Sequence, residues 1–238
     1  SDRCTGPPVV ETSEEKLAFM SSAALSRMAM DELRPDAKQN WLNLTSNDFD
    51  QLIPIASKDV KASTKPSQEK AIFKLFSLGI STNRDEWLYD LEPSQLGMRV
   101  QHLIGQYGEH RAGRDHFDPS IKWSETLKRR ANSSSREPFD VARIRRASYR
   151  PFFAPMVYQS PLFIDRPGSV EEVFPLGLGN RAICFSDVGS RANYVVLAVD
   201  SVADLHFGAS VDAYQQAPLY RYESGTRIDN ITDWSLAE

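Results

Sequence analysis

The sequence predicts an α+β fold, with N-terminal helices followed by a mixed or mostly antiparallel sheet that has flanking helices. Two observations support this prediction. Before residue 111, apolar residues recur at helical spacing in two segments; after residue 150 the apolar segments are short, β-branched or aromatic, and separated by Gly, Pro, Asn and Asp. At 238 residues, 41% of them hydrophobic, the chain is long enough to bury a core.

The first predicted helix lies in TSEEKLAFMSSAALSRMAMDEL, residues 12–33. Thr12 or Ser13 can cap it, and two acidic residues suit its first turn. Its apolar side chains recur at helical spacing, at Leu17, Met20, Ala24, Leu25 and Met28. A shorter helix is predicted from about Ser46 to Leu52, before an extended segment marked by Pro54.

Two further segments lie between residues 67 and 110; the first is compatible with either a helix or a strand, and the second predicts a helix. The segment SQEKAIFKLFSLG, residues 67–79, is compatible with a helix that ends at Gly79 or with a strand entered from a turn. LEPSQLGMRVQHLIGQYGEH, residues 91–110, predicts a helix with Pro93 in its first turn. One face of that helix is apolar and carries Leu96, Val100, Leu103, Ile104 and Tyr107.

Strands are predicted to dominate the C-terminal half. The segments that indicate them are RPFFAPMVYQS at 150–160, AICFSDVG at 182–189, NYVVLAVDSV at 193–202 and APLYRYE at 217–223. The sequence has no internal repeat. The only low-complexity patch is NSSSRE at 132–137, which we interpret as a loop.

The apolar segments and the cysteine count indicate the cellular compartment. The chain has no run of 18 apolar residues and no charged-then-apolar leader, so we expect a soluble cytoplasmic protein. Its two cysteines, Cys4 and Cys184, are too few for a disulfide framework or a cysteine-rich zinc site.

Familiar catalytic and cofactor motifs are not found in the sequence. The four histidines, His102, His110, His116 and His206, match no metal-ligand spacing, so ordinary loop or surface histidines are favoured. The GLGN at 177–180 lacks the strand and helix that flank a dinucleotide loop, and a turn is the better interpretation. We find no Gly-x-Ser-x-Gly elbow and no Walker loop. We therefore expect no catalytic residue, no metal and no cofactor in this chain.

Positive charge is concentrated in residues 122–150, hereafter the basic block. The block carries nine Lys and Arg against three Asp and Glu, in a chain whose net charge is −4. It contains two clusters with interleaved aromatic residues: Lys128, Arg129 and Arg130; then Arg143, Arg145, Arg146 and Arg150, with Phe139 and Tyr149 as stacking groups. From the residues alone, a phosphate-binding surface and a solvated or partner-facing face are about equally favoured.

Several motifs occur in an order that resembles the C-terminal region of Type ISP restriction-modification enzymes. They are AIFKLFSLGISTNRDEWLYD at 71–90, IRRASYRPFF at 144–153, NRAICFSDVGS at 180–190, DLHF at 204–207, PLYRYE at 218–223 and RIDNITDW at 227–234. The segment NWLNLTSNDFDQLIPI, at 40–55, also resembles the stretch that follows the methyltransferase domain of that family. The resemblance covers most of the chain from Asp36 to Trp234.

The resemblance implies a single-chain enzyme that joins a nuclease, a helicase, an N6-adenine methyltransferase and a target recognition domain. This sequence has neither the family's Asn-Pro-Pro-Tyr motif nor its cofactor loop; TGPPVV at 5–10 has only the two prolines. We therefore expect a fragment that is not itself an enzyme. Residues 1–60 would be a helical linker after the methyltransferase, and residues 61–238 a recognition domain truncated at its C-terminal end.

The resemblance also implies partners and cofactors. The expected partners are double-stranded DNA and the methyltransferase domain of the same polypeptide, with no membrane. S-adenosylmethionine, ATP and Mg are implied for the full-length protein only. The predicted function is DNA sequence recognition that directs a tethered adenine methyltransferase and an ATP-dependent nuclease. The alternative is an interaction module that couples the methyltransferase to the helicase without reading sequence, and an independent enzyme is the weakest interpretation.

Candidate DNA-contacting residues follow from the resemblance and from the basic block together. They are Asn83, Arg84, Lys128, Arg129, Arg130, Arg143, Arg145, Arg146, Tyr149 and Arg150. Within STNRDEW, residues 81–87, Arg84 is interpreted as a phosphate ligand oriented by Asp85 or Glu86. A buried turn with an Arg–Asp pair and Trp87 in the core is equally favoured.

Overall fold

The computed structural model describes residues 12–21, 52–64, 70–114, 118–133, 135–186, 195–208 and 213–237. It divides the chain into two compact units, residues 1–52 and 53–238. Helix α1, Ser13–Ser21, belongs to the first unit. Thr12 and Glu15 cap it reciprocally, each backbone N–H donating to the other's side-chain oxygen. The predicted continuation of α1, and all but the last residue of the predicted helix at 46–52, lie outside the described residues.

The second unit is an α+β fold, as the sequence predicts. Its described helices are α2 (Lys58–Ala62), α3 (Asp85–Leu88), α4 (Pro93–Arg111), α5 (Glu125–Asn132), α6 (Val170–Val173) and α7 (Asp233–Ala237). Its described strands are β1 (Ser77–Leu78), β2 (Tyr89–Asp90), β3 (Ile144–Ser148), β4 (Met156–Tyr158), β5 (Ala182–Ser186), β6 (Val196–Val199), β7 (Val202–Ala203), β8 (Tyr214–Pro218), β9 (Tyr220–Glu223) and β10 (Thr226–Asp229). The assignment of residues 1–60 to a linker and 61–238 to a recognition domain stays a prediction.

Helix α4 confirms the prediction made from its apolar spacing. Pro93 stands in its first turn, where a missing N–H costs no intrahelical bond. The predicted apolar face is buried at Leu96, Val100, Leu103 and Tyr107, and Ile104 is half-buried against the same core. Helix α4 therefore packs its apolar face into the main core of the second unit.

One sheet has the strand order β1-β8-β5-β6, with every neighbouring pair antiparallel. The ambiguous segment at 67–79 contributes to this sheet in extended form, because Ser77 and Leu78 pair with Gln216 and Gln215. Gly79 follows directly, and a Cβ there would lie 2.6 Å from the carbonyl oxygen of Asp204. Close backbone approach, and not the end of a helix, is thus the reason for glycine at this position.

The second sheet has the order β2-β4-β3-β7, and its strand β3 carries Arg145 and Arg146 of the basic block. Strand β3 pairs antiparallel with β4 and parallel with β7. The remaining pair, β9 and β10, is a hairpin whose turn residues Ser224 and Gly225 both have positive φ, as a tight hairpin turn requires.

The main core lies between α4 and the second sheet. Its largest fully buried side chains include Leu88 and Leu103 on the helical side and Tyr158 and Phe163 on and after β4. A smaller apolar cluster forms around Phe185 and Ala217 of the first sheet and Phe73, which precedes β1. Among the described residues, no helix is both long and apolar enough to span a bilayer.

The predicted strand at 150–160 is shorter than its composition suggests. Only Met156–Tyr158 is a strand. Its first residues form a turn in which the Phe153 N–H donates to the carbonyl of Arg150 at 3.0 Å. Pro151 occupies the second position of this turn, where its fixed φ is favourable. Turn chemistry therefore overrides the strand propensity of the two phenylalanines.

Candidate nucleic-acid interface

The STNRDEW segment is anchored to a buried carboxylate that comes from a distant part of the chain. Arg84 forms an ion pair with Asp165, 2.8 Å from Nη2 to Oδ1, and its side chain has no exposed area. The same carboxylate accepts hydrogen bonds from Asn83 Nδ2 and Ser124 Oγ, both at 2.8 Å. We call these four residues the Asp165 network. The residue that orients Arg84 is thus Asp165, and not Asp85 or Glu86 as the sequence suggested.

The Asp165 network holds its charges largely inside the protein, since the side chain of Arg84 has no exposed area and that of Asp165 is 10% exposed. Burial would raise the pKa of the Asp165 carboxyl, but the hydrogen bonds from Asn83, Ser124 and Arg84 lower it below its usual range. Arg84 also donates to the carbonyls of Thr82 and Phe163. The arrangement corresponds to the buried turn, with Trp87 packed against the core. Arg84 therefore positions the loop.

A second cluster of polar side chains lies beside this network. Tyr149 Oη donates to Asp85 Oδ2 at 2.7 Å, and the Arg150 guanidinium lies 4.1 Å from the Tyr149 ring centroid. Arg150 also forms an ion pair with Asp204 at 2.9 Å. Burial and the hydrogen bond to Asp85 raise the pKa of Tyr149 to about 12. Tyr149 and Arg150 thus remain half-exposed but are held by internal partners.

The cluster on α5 is divided between solvent and interior. Arg130 donates to the carbonyls of Leu162, Ile164 and Asp165, and burial lowers its pKa. Lys128 forms an exposed pair with Glu125 at 2.8 Å. Arg129 is exposed, and its side chain makes no hydrogen bond or ion pair with the described residues. Two of the three cations on α5 are therefore accessible.

The cations on β3 and just before it are divided in the same way, and Arg145 and Arg146 differ because side chains alternate across a strand. Arg145 donates to the Gln159 side chain and to the carbonyls of Phe174 and Pro175, at 2.8–2.9 Å, and burial lowers its pKa. Arg143 bonds to the carbonyl of Gln159. Arg146 is exposed and makes no side-chain bond to the described residues. Arg146 is the accessible cation of this strand.

Two adjoining cavities of the second unit lie beside the Asp165 network and the 150–153 turn. The larger, about 550 Å³, is lined by residues of the 81–87 loop together with Ser120, Lys122, Arg150, Asp204 and His206. The smaller, about 260 Å³, lies between the 150–154 turn and β6, and Arg146 and Phe152 line it. Arg150 borders both cavities. We call this surface the Lys122–Arg146 face.

The Lys122–Arg146 face combines both signs of charge with polar groups. Lys122 donates to the Asn83 side chain, which links this face to the Asp165 network. Asp85 and Asp204 already have protein partners, whereas the exposed carboxylates of Glu86 and Asp200 make no side-chain bond to the described residues. Cations can contact phosphates, and carboxylates can accept from the amino group of cytosine in the major groove. The face thus carries groups for both kinds of contact.

Two features of this surface are missed by reasoning from sequence. Asp165, the acceptor at the centre of the network, follows a buried apolar segment, and no sequence motif marks it. Phe152 is fully exposed at the tip of the 150–153 turn, with a φ of 65°. The Arg-Pro pair before it signals a turn, but the two adjacent aromatic residues are typical of a strand.

The described histidines do not form a metal site. His102 contacts Asp118 at 3.1 Å and stacks on Trp87, and His110 stacks on Trp123. The backbone N–H of His206 donates to Asp204. Among the described residues, no group of three or more His, Cys, Asp or Glu side chains can hold a metal ion. His116 lies outside the described residues.

Comparison with known families and structures gives consistent results. The family described as the Type ISP C-terminal specificity domain matches residues 71–238. In the cryo-EM structure of the DrdV–DNA complex, the similar chain is 32% identical with a TM-score of 0.72; the match covers 94% of this chain and 23% of that chain. Comparison with curated protein sequences found no match.

Two further solved structures share the fold at lower identity. One is the ATP-dependent Type ISP restriction-modification enzyme LlaBIII bound to DNA, with 23% identity, a TM-score of 0.69, and coverage of 94% of this chain and 15% of that chain. The other is a nuclease-deletion mutant of the Type ISP enzyme LlaGI in complex with a DNA substrate mimic, with 22% identity, a TM-score of 0.66, and coverage of 93% and 18%. This chain spans less than a quarter of each of the three solved chains.

Proposed function

Since this chain belongs to the Type ISP C-terminal specificity domain family, we propose that it recognises the DNA target of a restriction-modification enzyme. The observation that carries the proposal is the family match over residues 71–238. The similar solved chains of DrdV, LlaBIII and LlaGI are in complex with DNA or a DNA substrate mimic, which supports double-stranded DNA as the partner.

We propose that the candidate residues have three different roles. Lys128, Arg129 and Arg146, whose charges are exposed, contact phosphates and fix the orientation of the duplex. Arg84, Arg130, Arg143 and Arg145 hold loops and strands in place through carbonyl and carboxylate acceptors. Asn83, Tyr149 and Arg150 line or support the Lys122–Arg146 face, where bases are read. The support for this division is the exposure of the first group and the internal bonding of the second.

The finer proposal is that recognition by this chain directs a tethered N6-adenine methyltransferase and an ATP-dependent nuclease. In this proposal S-adenosylmethionine, ATP and Mg bind to other parts of the full-length polypeptide, and this chain is not catalytic. Calorimetry of the chain with S-adenosylmethionine should therefore give no heat of binding. Micromolar affinity for that cofactor would contradict the proposal.

The direct test of DNA recognition is selection from a pool of duplexes with a randomised central region. Without the phosphate contacts of a neighbouring methyltransferase, we expect non-specific affinity of roughly 10⁻⁴ to 10⁻⁶ M and steep dependence on salt. Repeated selection should nevertheless enrich one sequence. Enrichment of none, in this chain and in a protein that joins it to its methyltransferase, would contradict a reading function.

One observation favours the alternative function, a module that packs against another domain. An apolar groove of about 380 Å³ lies along α4, lined by Gly97, Phe139 and Ile144 among others. The exposed side chains of Met98 and Val141 border it. Exposed apolar patches of this kind mark protein contacts. If the groove docks the methyltransferase while selection enriches no sequence, the coupling function becomes the better account.

A further inference from the structure

The turn between β3 and β4 presents an aromatic side chain entirely to solvent. Phe152 is fully exposed, while the neighbouring Phe153 is 43% exposed and packs edge-on against Tyr149 at a centroid distance of 6.1 Å. An exposed phenylalanine at the tip of a turn contributes nothing to the core. Single exposed apolar side chains are common on protein surfaces, so the backbone and the neighbours of Phe152 decide whether the ring has a role.

The backbone at Phe152 adds to this observation. Pro151 and Phe152 are the second and third residues of the turn, and Phe152 has a φ of 65°. A positive φ at the third position is typical of a type II turn, which favours glycine there because a side chain is strained. Phe152 thus combines an unfavourable backbone with an unburied ring. Strain of this kind concentrates at ligand-binding sites.

The turn is held firmly by its surroundings. The Ala147 N–H donates to the Pro155 carbonyl at 2.8 Å, and the Arg150 and Phe153 backbones bond to each other in both directions. Tyr149, beneath the turn, is fixed by its hydrogen bond to Asp85 and its edge contact with Tyr89. A ring on such a support reaches outward without a large loss of conformational entropy on binding.

The charges around the ring favour an anionic partner. Arg146 lines the same cavity as Phe152, is exposed and has no partner among the described residues. Arg150, also in this cavity, is paired with Asp204. Among the described residues that line the smaller cavity, the only carboxylate is that of Asp200, which is exposed. An aromatic ring beside a free guanidinium matches a base next to a phosphate.

We propose that Phe152 enters the DNA duplex and stacks on a base at a partly unstacked step, while Arg146 contacts the adjacent phosphate. This inference rests on the proposed function, because it takes duplex DNA as the ligand. It assigns to the 150–153 turn a role that exposed basic residues do not have, since an apolar wedge unstacks bases and makes binding depend on how readily a step deforms.

The test uses Phe152→Gly, which removes the ring and relieves the strain at one position. We expect the variant to unfold at the same temperature as the parent or a higher one, and to bind duplex DNA about 5- to 150-fold more weakly, the range for loss of one base–aromatic stack. Leu236→Ala, which shortens an exposed apolar side chain on α7, is the control and should bind as the parent does.

A second measurement separates stacking from simple contact. A duplex with one central mismatch unstacks more easily than a perfect duplex, so a wedge should prefer it. We expect the parent to bind the mismatched duplex more tightly, and Phe152→Gly to lose that preference. Both measurements use duplexes of arbitrary sequence, so they need no knowledge of the target.

The outcomes distinguish this inference from the function on which it rests. If the parent binds no duplex, the proposed function fails and the inference fails with it. If the parent binds and Phe152→Gly binds equally well with the same mismatch preference, only the inference is overturned. A parent that self-associates through Phe152, with unchanged DNA affinity in the variant, would also overturn it and assign the ring to a protein interface.

Discussion

The Asp165 network and the Arg146–Phe152 edge use the same kinds of residue in opposite ways. In the network, the guanidinium of Arg84 is fully buried and bonded to a carboxylate and two carbonyls. At the edge, Arg146 and Phe152 are both exposed and without internal partners among the described residues. Buried cations stabilise the fold and can be accounted for by their acceptors. Exposed cations and rings with no structural role are the better candidates for ligand contact.

The largest effect is expected when the network loses its central acceptor. Asp165→Ala leaves the buried Arg84 guanidinium without a counter-charge, so we expect the free energy of unfolding to fall by about 3–5 kcal/mol. Urea denaturation measures this. Asp200→Ala, which removes an exposed carboxylate that has no partner among the described residues, is the control and should change stability by less than about 0.5 kcal/mol. A loss below 1 kcal/mol for Asp165→Ala would remove the network from the structural account.

Two adjacent residues on β3 provide the sharpest comparison. Arg145→Ala leaves the Gln159 side chain and two carbonyls without their donor, so we expect a loss of about 1–3 kcal/mol in unfolding free energy. Arg146→Ala should change stability by less than about 0.5 kcal/mol but lower the slope of log affinity against log salt by about 0.9. Denaturation and DNA titration at several salt concentrations measure both quantities. The reverse pattern would contradict the assignment of the two faces.

The cluster on α5 should show a smaller effect on stability. Replacement of Lys128 and Arg129 with alanine removes two exposed charges and one surface ion pair, so stability should fall by at most about 1 kcal/mol. If both contact phosphates, the salt slope should fall by about 1.8 while sequence preference persists. An unchanged salt slope would place this cluster outside the DNA interface and leave it as a solvated helix face.

These comparisons show what the sequence can predict. The periodicity of α4 and the composition of β5, β6 and β9 predict those elements because the pattern of burial is local. The charge of the basic block does not predict which of its cations are exposed. Arg130 and Arg145 donate to carbonyl acceptors in segments about 30 residues away. The same limit applies to Arg84, whose partner Asp165 lies 81 residues further along the chain.

The smallest predicted effect concerns the pH dependence of stability. It involves Tyr149, which lies next to the 150–153 turn and donates to Asp85 of the STNRDEW segment. Burial and the bond to Asp85 raise the pKa of Tyr149 from 10.0 to about 12. The folded state therefore holds this proton more tightly than the unfolded state, so its contribution is fully present below pH 10 and is lost as pH rises toward 12. Tyr149→Phe should flatten the fall of stability across that range, although Tyr158, whose pKa is also raised to about 12, still contributes. An equal slope in parent and variant would show that Tyr149 does not titrate as buried.

Domain exchange tests whether this chain sets the DNA sequence that the enzyme recognises. Residues 71–238 would replace the matching specificity domain in a Type ISP enzyme, and the methylated sites would be mapped on the DNA of cells that produce the hybrid. Methylation should move to a new sequence, the same one that the chain selects from the randomised duplex pool. Continued methylation at the original site by an active hybrid would contradict the claim and favour a coupling role.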